Sequence, residues 1–166
     1  VGPALEEGVN FDQAFDALIG HEGGYSNNPV DPGGETMWGV TARVARANGY
    51  TGEMRYLARE TAKDIYRKLY WDSVHADELP EPVRYPVFDA SVNSGVVQAI
   101  KWLQRAVDVA DDGVIGPITI SAANRAGKDA AVRLTADRLD FMTSLPTWGA
   151  FGKGWARRVA AILKGI

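Results

Sequence analysis

The segment EGGYSNNPVDPGGET, residues 22–36, holds four glycines and two prolines in fifteen residues. No regular helix crosses such a run, because glycine is entropically costly in a helix interior and proline removes a backbone donor. Helical periodicity lies on both sides of it. Phe11, Phe15, Leu18 and Ile19 stand at i, i+4, i+7 and i+8, one face of a helix that Asn10 can cap. That helix runs out at Gly20-His21, which places Glu22 at its C-terminal end or just past it. The chain is thus constrained to a short first helix, a turn-rich loop, and whatever the remaining residues can build.

Those residues also read as helical. Thr41 can cap a helix over 42–48 that stops at Asn48-Gly49, and Thr61 can cap another over AKDIYRKLYWDSV. Pro80 and Pro82 mark a break before a helix over about 83–92. Val96, Ile100, Leu103 and Val107 make an apolar stripe, and Pro117 suits the first turn of the helix after the loop DVADDGVIGPIT. Residues 128–144 form a long helical pattern, Trp148–Gly154 reads as a glycine-aromatic turn, and Trp155, Val159 and Ile162 carry a last helix. The expectation is a mainly α fold of seven or eight helices, with at most a short β-hairpin in the 23–39 loop. Neither a repeat nor a linker divides the chain.

Several function classes fall at once. A formal net charge of -3 does not make the field a nucleic-acid binder needs, so no nucleic-acid partner is expected. With no cysteine, thiolate zinc sites, disulfides and cysteine nucleophiles are excluded. No run approaches the roughly 18 apolar residues of a membrane-spanning helix, so no stable membrane insertion is expected of these residues. HEGGY falls short of the zinc motif His-Glu-x-x-His because Tyr25 stands where the second histidine belongs, and only His21 and His75 are present. His21 reads as a helix-end residue. A calcium loop started at Asp108 has Ala110 and Thr119 where acids belong, which favours a tight inter-helix turn. No Lys-Ser or Lys-Thr follows DPGGET to make a phosphate loop.

The acids of the loop are the chemistry that remains. Cleaving a glycosidic bond takes a carboxylic acid that protonates the leaving oxygen and a second carboxylate that activates water, attacks or stabilises charge. Glu22, beside the apolar end of the first helix, can be kept protonated by desolvation. Asp31 lies nine residues on in a Pro/Gly turn, Thr36 can hold a water, and Glu35 is a further acid. Composition alone favours a solvated acidic loop.

The order of residues goes further. EGGYSNNPVDPGGETMWGVT resembles the signature of the glycoside hydrolase family 108 lysozymes, bacteriophage and bacterial N-acetylmuramidases. The layout is also similar to the Glu-Asp-Thr triad of phage-type lysozymes, with one residue fewer between Asp31 and Thr36. FDASVNSGVVQAIKWLQRAV resembles the family's middle segment, which puts Asn93 and Gly95 near the cleft. DGVIGPIT resembles a turn of peptidoglycan-binding modules, and GKGWARRV the family's Gly-Trp-x-x-Arg segment.

The resemblance implies a lysozyme-like fold, a catalytic lobe over 10–92 and a peptidoglycan-binding-like helical segment over 93–166 in the same globular unit. It implies Glu22 as general acid, with Asp31 and Thr36 positioning water or stabilising charge. Tyr25, Trp38, Tyr70, Trp71 and Asn93 become the candidate sugar-binding residues, while Trp102 is expected to be structural. The implied partner is bacterial peptidoglycan, cleaved by a monomer that needs no metal or organic cofactor. The implied place of action is the cell wall in the periplasm, after synthesis in the host cytoplasm if the gene is a phage's. A lytic transglycosylase, a chitinase and a non-catalytic wall-binding module remain as alternatives.

Overall fold

The computed structural model describes residues 8–20, 23–30 and 33–166. Among them are eight α-helices and one small antiparallel sheet. They form two compact units, Phe11–Leu69 and residues 8–10 with Tyr70–Ile166. The lobes expected over 10–92 and 93–166 share a border that lies inside a helix of the second unit.

The first unit opens with α1, Phe11–Ile19, which buries Phe11, Ala14, Phe15 and Ile19. Gly20 follows at φ +55, the left-handed conformation that commonly ends a helix. The sheet comes next, built from β1 (Ser26–Asn27), β2 (Glu35–Met37) and β3 (Val40–Thr41). The expected hairpin is present and is extended by a third, two-residue strand. Thr41 accepts a hydrogen bond from the Val44 N–H at 3.3 Å and caps α2, Ala42–Ala47.

The helix α3 spans Arg59–Tyr66 and is capped at Ala58, three residues before the Thr61 that was expected to cap it. It is tied to α1 by ion pairs, Lys63–Asp12 at 2.8 Å and Arg59–Asp16. The Phe15 and Tyr66 rings meet edge-on at 5.5 Å beneath them. Beyond α3 the backbone widens into a π-helical turn over Arg67–Trp71. Tyr66 and Trp71, on either side of the start of this turn, are both buried, Tyr66 against Phe15 and Trp71 against Phe88.

The second unit is a helical bundle. Its members are α4 (Glu81–Ser94), α5 (Val96–Ala106), α6 (Pro117–Ala126), α7 (Lys128–Thr143) and α8 (Trp148–Lys164). Pro82 sits in the first turn of α4, where its missing N–H costs nothing. The segment just before α1 lies along this helix: Arg84 donates to the Val9 carbonyl at 3.3 Å. Trp102 is buried on α5 with its ring edge-on to Phe141 of α7 at 5.4 Å.

The stretch 148–154 is the first part of α8 and not the glycine-aromatic turn expected from its composition. A Cβ on Gly152 would come within 2.5 Å of the Trp148 ring, so the glycine is the seat of that indole. Trp148, Phe151 and Trp155 then associate at helical spacing, with Phe151 stacked on Trp155 at 5.9 Å. Packing of three aromatics outweighs the roughly 1 kcal/mol that glycine costs in a helix interior.

Two polar groups organise the bundle. The buried carboxamide of Gln104 donates to Asp112, the Val114 carbonyl and Thr119, and accepts from the Gly113 N–H. These bonds pin the 107–116 loop as an inter-helix turn. Within it, the Val114 N–H holds the Asp112 carboxyl below its ordinary range, and Arg105 does the same for Asp111. No cluster of three or more metal-ligating side chains occurs among the described residues.

The other group is Asp89 of α4, fully buried. It receives Arg138 of α7 at 2.5 Å and three bonds from Arg158 of α8, with Nη2 at 2.6 Å. Removing the charge of a buried, paired carboxylate strands its cations. Asp89→Asn is expected to lower unfolding free energy by about 3–5 kcal/mol, read from urea denaturation.

Tyr85 donates to Asp89 at 3.4 Å, and burial followed by the Asp89 charge pushes its phenol up to about 12. The folded chain therefore favours the neutral phenol. That contribution is complete below the unfolded value of about 10 and is lost as pH rises through about 12. Tyr85→Phe should flatten the loss of stability between those pH values, measured as urea midpoints.

Candidate active site

The site is assembled from the C-terminal end of α1 and the sheet. His21, Glu22 and Asp31 lie outside the described residues, so their flanks carry the geometry. On one side, the Gly20 N–H bonds the Asp16 carbonyl at 2.9 Å and closes α1. On the other, the Gly23 carbonyl accepts the Trp38 N–H at 3.1 Å.

Trp38 is the unusual residue here. With Gly39 it forms the two-residue turn between β2 and β3, and both have positive φ, +52 and +72. That is what a type I′ hairpin turn demands, and Asn or Gly normally meets it. A bulky residue in this conformation costs about 1–3 kcal/mol, which the surroundings must outweigh.

They do so at several points. The indole N–H donates to the Leu57 carbonyl at 3.0 Å, and the Arg59 guanidinium lies 6.0 Å from the ring centroid. The ring itself lies on Gly23, where an added Cβ would come within 2.0 Å of it. At Gly39 a Cβ would meet the Tyr66 hydroxyl at 2.5 Å and Ile19 at 3.9 Å, so the turn rests on the ends of α1 and α3.

The sheet register sorts the polar residues by face. Thr36 pairs with Ser26 on one side and Thr41 on the other, which makes a row of three hydroxyls. Glu35, one residue earlier, projects from the opposite face. There the Tyr25 hydroxyl donates to Glu35 at 2.5 Å, and this hydrogen bond raises the phenol above its ordinary value. The Arg55 guanidinium stands 5.5 Å from the Tyr25 ring centroid. Glu35 and Thr36 therefore serve different sides of the sheet.

Tyr25, Thr36 and Trp38 thus belong to one unit, while Tyr70, Trp71 and Asn93 belong to the other. Trp71 does not stack on a sugar: it is 0% exposed, with its ring edge-on to Phe88 and its indole N–H on Asp77 at 2.9 Å. Its aromatic bulk was ambiguous in the sequence, and the π-turn is what sends it inward. Tyr70 is half-buried in the same turn. Asn93 is exposed in the last turn of α4 and donates to the Asp89 carbonyl at 3.0 Å.

Two features escaped sequence reasoning. One is Gly23 as the seat of the Trp38 indole, although an aromatic-Gly pair after a short strand was the signal for a hairpin turn. The other is Asp89 with Arg138 and Arg158. An aspartate inside the apolar run VFDASV was its visible trace.

Comparison with known proteins agrees with this architecture. A family model described as glycosyl hydrolase 108 matches residues 15–95. The chain is similar to the solved structure of Brucella abortus SagA at 36% identity and a TM-score of 0.81, covering 93% of this chain and 91% of that one. No curated protein sequence matches the chain.

The Gly23–Trp38 contact generates a test. Gly23→Ala should cost about 1–3 kcal/mol of stability from overpacking against the Trp38 ring. Gly23→Ala combined with Trp38→Ala should recover the stability lost to the clash. Additive losses in urea denaturation of the two single variants and the pair would refute a direct contact.

Proposed function

The chain belongs to the glycosyl hydrolase 108 family, and we propose that it is an N-acetylmuramidase that cleaves the β-1,4 bond between N-acetylmuramic acid and N-acetylglucosamine. The family supports the coarser statement directly: this is a peptidoglycan hydrolase of the glycosidase class. In the proposed reaction Glu22 protonates the glycosidic oxygen as the bond to the sugar carbon breaks. Asp31, with Thr36, orients a water that adds to that carbon or stabilises the oxocarbenium-like charge. The product is inverted, with the carboxyls roughly 6.5–9.5 Å apart to admit the water.

The observation that carries this reading is the seating of the backbone on both sides of Glu22. A general acid must be held to a fraction of an ångström to deliver its proton. Gly20 closes α1 two residues before Glu22, and Trp38 covers Gly23 one residue after it. A merely solvated acidic loop has no reason to keep a tryptophan in a left-handed turn for this purpose. Residues 10–92 are proposed as the catalytic lobe and 93–166 as the wall-binding segment. A phage endolysin that acts as a monomer on the host wall is the biological role proposed with it.

Mass spectrometry of fragments released from purified peptidoglycan tests the reading. The wild type should give fragments ending in a reducible N-acetylmuramic acid, and Glu22→Gln should slow their release by about 10²–10⁴-fold. Anhydro ends would make the enzyme a transglycosylase. Equal release by both proteins would remove Glu22 from the chemistry.

A further inference from the structure

We propose that the pocket between the 107–116 loop and the first turn of α6 is a subsite for the free side-chain amine of the diamino acid in the peptide stem of peptidoglycan. The proposal deepens the muramidase reading and rests on it for the class of polymer. Its own support is the pocket, whose lining lies entirely within the second unit.

The pocket has a volume of ≈ 230 Å³. Pockets for whole small ligands run roughly 300–1,000 Å³, so this one suits a single arm of a larger molecule. Two polar side chains of its lining are almost fully buried, Gln104 at 1% and Thr119 at 4% exposure. Gln104 donates to Asp112 at 2.9 Å, to the Val114 carbonyl at 3.0 Å and to Thr119 at 3.2 Å, all of them lining residues. One buried carboxamide therefore sets the polar side of the pocket before anything enters, and such preorganisation lowers the entropic cost of binding.

Among the described residues, Asp112 is the only charged side chain of that lining. The other two aspartates of the loop have cations against them: Arg105 holds Asp111 at 2.7 Å and Arg133 stands 3.6 Å from Asp108. Lys101 also bears on Asp111 and not on Asp112. Asp112 forms no ion pair among the described residues. Its partners are neutral donors, Gln104 and the Val114 N–H, both on Oδ1 at 2.9 Å. The Val114 N–H, then Gln104, hold the carboxyl below its ordinary range, so the pocket carries an ionised acid. A cationic donor brought to it makes a charge-assisted hydrogen bond, stronger than the neutral ones already there.

The rest of the lining says what accompanies the cation. It is apolar, and Val114 and Ile118 are 70% and 77% exposed. A lone carboxylate among aliphatic walls fits an ammonium on an alkyl chain, the chain against Val114 and Ile118 and the ammonium on Asp112. Neutral N-acetyl sugars offer no positive charge. The diamino acid of an uncross-linked stem offers an amine on an alkyl arm that branches from the glycan.

Retention of the intact chain on insoluble peptidoglycan in the cold tests the subsite, because binding needs no turnover. The two materials are native sacculi and sacculi whose free amines have been acetylated. The apparent Kd for the native material should be about tenfold lower. Asp112→Asn removes the charge and keeps an oxygen for Gln104 and Val114, so it should bind both materials at the weaker level. Ile118→Lys brings a competing ammonium to the same wall from an exposed position, and it should abolish the difference too. Equal Kd for the two materials with the wild type overturns the subsite. So does a difference that survives in either folded variant, which assigns it to polymer charge in general. Tighter binding to acetylated sacculi overturns it in favour of a neutral acetamide. Each of these results leaves the muramidase reading standing if reducible ends still depend on Glu22. Loss of that dependence in Glu22→Gln instead strikes the reading and spares the binding comparison.

Discussion

Asp89 is the constraint on which the helical bundle depends. A carboxylate with no solvent exposure is tolerable only where cations and donors replace water, and here α7 and α8 each supply an arginine. The ion pairs fix how three helices meet, which generic apolar contacts between alanine-rich faces would leave loose. Tyr85 and Asn93 add donors from the same helix as Asp89.

In the first unit the corresponding constraint is steric. Gly23 is small so that Trp38 can lie on it, and Trp38 accepts an unfavourable backbone conformation because its indole N–H, its ring and the following glycine are all engaged. The result joins the end of a helix to the tip of a sheet. Glu22 is attached to that joint by sequence. The backbone on both sides of Glu22 is thus held by contacts, which is how a loop acquires the precision of a regular element.

The two units use different means for the same purpose. Helix α1 relies on burial of Phe11 and Phe15 with exposed ion pairs to α3, and such pairs contribute little each in water. The bundle hides its charges and gains specificity from them, at the cost of desolvating them. An error in the first unit loosens a turn, whereas an error at Asp89 strands the buried guanidinium of Arg138.

By itself, the sequence determined the mainly helical class, the breaks at Gly20, Asn48-Gly49 and Pro80, and the family-like order of Glu22, Asp31 and Thr36. Periodic apolar residues and turn chemistry are local properties, so they can be read from neighbours along the chain. Strands of two or three residues are too short to show a period, and only their pairing in space reveals the hydroxyl row of Ser26, Thr36 and Thr41. Tertiary structure decided the rest. It turned Trp71 inward through a π-turn, made the glycine-rich start of α8 helical through aromatic packing, and set Asp89 between Arg138 and Arg158. The α8 contacts lie only four to seven residues apart, but the burial of Trp71 and the pairing of Asp89 depend on partners up to sixty-nine residues away, beyond any local window along the chain.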